Sequence, residues 1–582
     1  MPGPGRVYWI AQPVHGRTQL TPVAISSATG HPRLSGPPEP RSSSGRLRSL
    51  KFIELESILF RHGIPPSGTT RVMALTQLRF VSPTTAVRMF ALAACMFMLG
   101  CAVGPDYRRP DAPRVDRYTA RPLPDATVKA EAADGDAQRF LKGRDVPQHW
   151  WTSFGNAELD RRVRMALEHS PSMASAQSAL RQAQENAMAA GGALFPALDA
   201  GAGAAREKLS AAQLGTPGGV RPFTLFNASV NVRYTLDLFG GVRRGIEASR
   251  AQSDVQKARL DSTYLTLAGN VVTASLQEAS LREQIRATRQ IIDMQRKTLA
   301  ITERQQEIGA SSFLDTLAIR AQLGTSEAAL PPLRARLAAV RNQLATYLGV
   351  TPAQLQAAPV TLDAVELPRA VPVSLPSRLV EQRPDIRAAS AQLHAASAEV
   401  GVATAAMLPQ ITLSGSGGSQ ALSAGDLFSA GTRAWSLGLN LTQPLFHGGA
   451  LLHGKRAAQA ALDQATANWQ QTVLVAFQNV ADALDALQYD AQTLAAQAVA
   501  ERAASQRLAL AREQYRIGAT GYLDLLDAER SDQQARIALV QARAARLTDT
   551  AALYTALGGG WRNKTRTTPP AAPAHASSTA SN

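Results

Sequence analysis

Two stretches of this 582-residue chain, 171–350 and 384–560, read as copies of one pattern, which limits the possible fold more than anything else in the sequence. Pro171 and Pro196 lie 25 residues apart, as do Pro384 and Pro409, and each pair encloses an Ala-rich segment free of internal proline. Leu238-Phe239-Gly240-Gly241 has its counterpart in Leu445-Phe446-His447-Gly448-Gly449. Ile308-Gly309-Ala310-Ser311-Ser312-Phe313-Leu314-Asp315 matches Ile517-Gly518-Ala519-Thr520-Gly521-Tyr522-Leu523-Asp524 at an offset of 209, and Leu344 to Gly349 matches Leu553 to Gly558 at the same offset. Several landmarks kept in one order signal a tandem duplication.

Each copy is expected to hold a helix, two strands, a long helix and a further helix. The leading prolines suit helix starts and the following ones end those helices. Residues 226–238 alternate strictly: Phe226, Ala228, Val230, Val232, Tyr234, Leu236 and Leu238 face one way, and polar residues face the other. The second copy repeats this with Trp435, Leu437, Leu439 and Leu441 against Ser436, Gly438, Asn440 and Thr442. Such strands suit an outer-membrane barrel or an ordinary half-buried sheet. From Arg244 to Ile308, and again from Lys455 to Ile517, the spacing predicts helices of about 65 residues, roughly 98 Å at about 1.5 Å per residue. Helices this long need partners for their apolar stripe. Segments 171–195 and 313–349, and likewise 384–408 and 522–558, stacked end to end could run beside each one. Pro331-Pro332 is expected to break or kink the last helix of the first copy.

Targeting information sits upstream. Arg88 is followed by an apolar run that ends at Cys101, too short to span a bilayer and suited to a lipoprotein signal peptide. Leu92-Ala93-Ala94-Cys95 is a tidier junction by residue type, but only six residues separate it from Arg88, so the longer run favours Cys101 as the lipidated residue. Residues 1–72 are rich in Pro, Gly, Ser and Arg and read as disordered, and native translation is expected to start at Met73. Removing residues 1–100, which hold 11 Lys+Arg and 3 Asp+Glu, leaves 50 basic and 42 acidic residues and lowers the net charge from +16 to +8. Nucleic-acid binding thereby loses its compositional support. Both cysteines fall in or at the end of the signal, so the body carries no disulfide.

Counting strands forces an oligomer. Four strands cannot close a barrel, and open sheet edges cannot face lipid. Two chains would supply eight strands around a filled interior, and three would supply twelve around a lumen. A membrane barrel continued by a tube of paired helices is a conduit.

With these landmarks the chain resembles the TolC-like outer-membrane factor family, in its lipoprotein branch of the OprM and NodT type. Cys101-Ala102-Val103-Gly104-Pro105-Asp106-Tyr107-Arg108-Arg109-Pro110, Trp150-Trp151, the doubled Pro-to-Pro helices and the doubled Gly-to-Asp turns carry the resemblance, which covers residues 101–560. It implies an α+β membrane protein, a trimeric outer-membrane β-barrel with four strands per chain and a long periplasmic α-helical barrel. The implied division is a signal peptide over 73–100, a lipid-anchored and equatorial segment over 101–170, repeats over 171–350 and 384–560, a linker over 351–383 and a disordered tail over 561–582. The implied partners are two more copies of the chain, a periplasmic adaptor, an inner-membrane pump of the resistance-nodulation-division type and outer-membrane lipid. Ala102, rather than aspartate, after Cys101 looks like the outer-membrane sorting pattern. The implied function is a passive exit duct for drugs or other small toxic solutes; protein secretion of type I, metal efflux and a lipid-anchored coiled-coil scaffold stay open.

Catalytic motifs are missing: there is no H-E-x-x-H, G-x-S-x-G or P-loop, and no cofactor is expected beyond the lipid on Cys101. Asp524 and Asp527 share a helix face. They could be acids favoured at a helix start, or, as the resemblance implies, rings narrowing the tunnel with Tyr515 nearby, acting as a gate that draws cations. The first copy has Asp315 but Ala318 in the equivalent positions, so only the second is expected to carry the full gate. Gly309 and Gly518 are glycine stops between antiparallel helices, and the resemblance makes these tips the adaptor-docking end.

Overall fold

The computed structural model describes residues 102–209 and 221–559; the expected disordered segment 1–72, the signal peptide, Cys95, Cys101 and the tail 561–582 lie outside the described residues. The described elements in chain order are β1 (Arg139–Lys142), α1 (Ala157–His169), α2 (Pro171–Gly191), β2 (Ala197–Glu207), β3 (Phe223–Leu236), α3 (Gly241–Glu307) and α4 (Phe313–Tyr347). They continue with β4 (Ala370–Val373), α5 (Pro376–Gln382), α6 (Pro384–Ala405), β5 (Gln410–Ala421), β6 (Arg433–Thr442), α7 (Ala450–Arg516) and α8 (Tyr522–Ala556). The long helices α3 and α7 both have 67 residues, and α4 and α8 both have 35.

The structure differs from the sequence reading at several boundaries. Both long helices begin earlier, at Gly241 and Ala450 rather than Arg244 and Lys455, because Gly240 and Gly449 adopt positive φ of 77° and 84° and turn the chain directly into helix. The first alternating strand covers 223–236, leaving Leu238 in the turn. Pro331-Pro332 does not break α4. Both prolines are exposed, so the carbonyls of Glu327 and Ala328 that lose an N–H partner can turn to water. Cross-helix pairs, Arg296 with Glu327 at 2.6 Å and Arg320 with Glu303 at 2.8 Å, hold α4 on α3 below that point.

The four long strands form one sheet in the order β2-β3-β5-β6, antiparallel throughout. Its register sets Val230 and Trp435 on either side of Gly417, and Val232 and Leu437 on either side of Gly415. Large apolar side chains on β3 and β6 therefore spread over the glycines of β5, making one apolar face. Asn231, Ser416 and Ser436 line up on the opposite face, where the two serine hydroxyls bond at 2.8 Å. β6 is exposed along its whole length, with Trp435, Leu437, Leu439 and Leu441 each at least 65% accessible. Among the described residues, the outer edges of β2 and β6 pair with nothing.

Below the sheet, α3 packs against α2 and α4 and also against α6 and α8, whereas α7 packs mainly against α6 and α8. A collar wraps one side of these helices where β1 and β4 pair in parallel, Arg139 opposite Ala370. Trp150, Trp151 and Phe154 are fully buried there against Tyr554 and α1. Arg162 on α1 reaches through this core to Glu278 on α3 at 2.8 Å and Ser275 at 3.0 Å. Arg546 on α8 donates to Thr127, Gln138 and the carbonyls of Asp134 and Asp136. Among the described residues no helix is long and apolar enough to cross a membrane.

Candidate functional site

The far tips of the helices share one local construction. Gly309 (φ 73°) and Gly518 (φ 75°) follow α3 and α7 in the left-handed region. At the first tip the Ala310 N–H donates to Gln305 C=O at 2.7 Å and the Gly309 N–H to Gln306 C=O at 3.0 Å. At the second tip the Ala519 N–H donates to Gln514 C=O at 2.8 Å and the Gly518 N–H to Tyr515 C=O at 3.1 Å. These paired bonds satisfy the last carbonyls of each helix, and only a residue free of Cβ adopts the turn without strain. A Cβ on either glycine would meet open space, so the backbone angle alone demands glycine. Around the turns Ile308 (80%), Phe313, Leu314 (73%), Ile517 and Leu523 are exposed, an apolar rim on an otherwise polar helix end.

Asp315 and Asp524 hold the same position, the third residue of α4 and of α8. Asp315 closes a capping box with Ser312: the Ser312 hydroxyl donates to its Oδ2 at 2.8 Å and the Asp315 N–H donates back to that hydroxyl at 3.1 Å. Asp524 has Gly521 at the cap instead and accepts from the Thr520 hydroxyl. Asp527, one turn on, is ion-paired across to α7 with Arg507 at 2.6 Å. Tyr515 meets Tyr522 edge to face, with centroids 5.8 Å apart. The fold thus brings Tyr515, Asp524 and Asp527 to one end of the α7–α8 hairpin, with Gly518 between them.

Sequence reasoning missed Arg507, because the register between α7 and α8 that opposes it to Asp527 is a property of the packed hairpin. It also missed a second acid pair, Glu529 and Asp532, which repeats the three-residue spacing and could have been found by it. Both are buried, at 3% and 1% accessible. Arg536 pairs with Asp532 at 2.9 Å, while Arg512 stays 3.9 Å from Glu529, and burial pushes the Glu529 carboxyl above the usual range. Burial, with Glu529 nearby, pushes the Tyr522 hydroxyl up as well.

At the opposite end, where sheet meets helix, the N-terminal segment is fastened along α3 and α6. The Val103 N–H donates to Phe239 C=O at 3.0 Å, Arg244 pairs with Asp106 at 2.6 Å, and Tyr107 stacks on His394 at 4.3 Å while bonding Ser390. Gly104 and Gly401 cross so closely that a Cβ on Gly104 would lie 2.4 Å from the Gly401 Cα. Ala102 packs against Gly240, the turn from β3 into α3. The first described residue after Cys101 therefore sits at the boundary between the apolar-faced sheet and the helices.

Comparison with known proteins agrees with this geometry. The family profile described as outer membrane efflux protein matches residues 163–350 and 375–559. The pyoverdine export outer membrane protein OpmQ of Pseudomonas putida is 33% identical over 454 residues, covering 76% of this chain and 94% of its own. A probable efflux pump outer membrane protein of the same organism, TtgC, is 31% identical over 483 residues, covering 82% and 96%. Among solved structures, the outer-membrane channel OprN superposes with a TM-score of 0.71 at 30% identity, covering 79% of this chain and all of that one. Sheet, paired 67-residue helices, collar and these matches converge: the chain belongs to the outer membrane efflux protein family, whose members are channels of the outer membrane and not enzymes.

Proposed function

We propose that three copies assemble into the exit duct of a tripartite efflux system. The carrying observation is a four-stranded sheet, apolar on one face and antiparallel throughout, whose two outer edges are unpaired among the described residues. Because strand direction alternates from β2 to β6, β6 of one copy meets β2 of the next antiparallel, and twelve strands close a barrel wide enough for a lumen. Below it, the flank of α7 that α6 and α8 leave uncovered exposes Leu474, Val499 and Leu510, and α2 and α4 of the next copy cover it. This reading treats the two halves as a tandem duplication, with 101–170 and 351–383 building the equatorial collar between barrel and tunnel. It follows the relatives named for pyoverdine export and solvent or antibiotic efflux in taking small organic solutes as cargo.

Lipid on Cys101 would enter the bilayer beside the barrel, as the fastening of Ala102 at the sheet–helix boundary supports. Cys101→Ser should abolish palmitate incorporation, and labelling lost in Cys95→Ser but kept in Cys101→Ser would move the anchor to Cys95. The tips at Gly309 and Gly518, with their apolar rim, dock the periplasmic adaptor, which links the duct to an inner-membrane pump of the resistance-nodulation-division type.

Asp524, Asp527 and Tyr515 form the gate. Clustered acids in a constriction favour cations. Arg507 holds Asp527, so the gate is also tied across the hairpin. In planar bilayers, Asp524→Ala with Asp527→Ala in every protomer should raise single-channel conductance and weaken cation preference and divalent-cation block, while Asp315→Ala, a capping change, should do much less. Intact trimers with unchanged conductance and selectivity would reduce these acids to helix-start residues.

A further inference from the structure

The apolar face of the sheet ends in cations. Side chains alternate along a strand, so on β6 Arg433 shares the face of Trp435, Leu437, Leu439 and Leu441, and on β2 Arg206 shares the face of Leu198, Ala200, Ala202 and Ala204. Both arginines lie at the end of the sheet away from the helices, where β2 finishes and β6 begins. From Leu441 to Trp435 the apolar stretch spans about 20 Å at roughly 3.4 Å per residue, and Arg433 stands about 7 Å beyond the indole. An aromatic followed outward by a cation is the order of side chains expected where hydrocarbon gives way to headgroups. Neither arginine forms an ion pair among the described residues, and both are exposed. The nearest strand acid, Glu207, has the opposite parity to Arg206 and belongs to the other face. Asp426, in the turn before β6, is held by Ser423 at 2.6 Å.

β2 and β6 are also the two edge strands, the ones that meet at each junction of the closed barrel proposed above; the inference rests on that reading. Arg206 of one copy and Arg433 of its neighbour then occupy one face and one end of the same junction. Two guanidinium groups there repel each other unless an anion lies between them, and their planar forks match phosphate oxygens two at a time. We propose that Arg206 and Arg433 form, at each junction between protomers, a binding site for the phosphate of an outer-leaflet lipid headgroup. The acyl chains of that lipid lie along Trp435 and the leucines below it, and the lipid bridges two subunits. The lipid phosphate thereby closes the barrel electrostatically at its outer rim.

Native mass spectrometry and thermal unfolding of the purified trimer test this. The probes are bis-phosphorylated lipid A, its fully dephosphorylated counterpart and inorganic phosphate. The wild-type trimer should retain lipid A, one per junction, and unfold at a higher temperature with it. Arg206→Gln with Arg433→Gln should weaken retention by roughly tenfold or more, as loss of charge-assisted bonds to phosphate requires. Arg233→Gln, on the opposite sheet face, should leave it unchanged. Equal retention of the dephosphorylated lipid would overturn the proposal, leaving only the apolar belt at work. Stabilisation by inorganic phosphate alone, with no gain from lipid A, would overturn it in favour of a free-anion site. A chain that purifies without forming trimers would instead fail the barrel reading, and is scored before any lipid is added.

Discussion

Collar and tip solve the same problem, burying polar groups between helices, in opposite ways. In the collar, Arg162 and Arg546 are about 1% accessible or less, and each guanidinium meets carboxylate, hydroxyl or carbonyl oxygens at several points. The unpartnered side-chain atoms there are few, such as the Trp150 indole N–H and the Ser374 hydroxyl. Toward the tip the core shrinks to a small cluster around Ile319, Leu508, Leu525 and Leu526. Just beside it both polar ends of Gln295, the hydroxyls of Thr302, Ser326 and Tyr522, and one oxygen each of Glu529 and Asp532 are buried without a protein partner. An unmade buried hydrogen bond costs about 1–3 kcal/mol. The collar is therefore held by satisfied polar groups, and the tip, which lacks them, parts at lower cost.

The strongest break of this comparison lies in the collar. Glu278 accepts from Arg162 at 2.8 Å with both groups about 2% accessible or less, and from Arg282 at 2.8 Å. Glu278→Ala leaves the buried Arg162 with the more exposed Glu158 at 3.2 Å as its remaining carboxylate. Removing one partner of a buried pair costs about 3–5 kcal/mol, and the retained partner puts the loss near the lower end of that range. Thermal unfolding of the purified protein should show that loss. A cost below about 1 kcal/mol would mean that Glu158 alone suffices for Arg162 and that the Glu278 pair is no more than a surface ion pair in effect.

A second, smaller effect is read through pH. Asp490 on α7 is pushed up to about 7 by burial and by its hydrogen bond to Asp549 on α8. A carboxyl with a folded value above its unfolded one stays protonated in the native state after the unfolded chain has ionised. The native state then binds more protons, and stability falls as pH rises between the two values. Between roughly pH 4 and pH 7 the melting temperature of the wild type should decline more steeply than that of Asp490→Asn. Parallel profiles would show that the two carboxyls do not share a proton.

Much of this architecture was legible in the chain because its causes are local. Proline at a helix start, glycine at a helix stop and strict alternation over 226–236 act within a few residues. The arginine partners of the collar and tip were not legible. Arg507 meets Asp527, and Arg162 meets Glu278 across 116 residues, only through the registers of packed helices. Pro331-Pro332 misled for the same reason: tertiary packing on α3 held together a helix that local propensity would have ended. The pairing of β1 with β4, which joins the segment before the first repeat to the linker, left no pattern in two four-residue strands.

The smallest effect sharpens the comparison at the tip. Gln295 faces inward from α3 at 1% accessible, and neither its carbonyl nor its amide nitrogen meets a protein partner. Gln295→Leu keeps nearly the same volume and removes two groups that are buried unsatisfied. Replacing such groups by apolar ones is neutral to stabilising, so the substitution should raise stability by about 1 kcal/mol, the opposite sign to Glu278→Ala. A tip that parts less readily should also conduct less, so open probability in planar bilayers should fall while single-channel conductance stays the same. The equivalent change in the collar, Gln138→Leu, should destabilise, because Gln138 bonds Thr550, Arg546 and the Pro368 carbonyl. If both leucine variants shift stability in the same direction, the satisfaction of buried polar groups is not what distinguishes the collar from the tip.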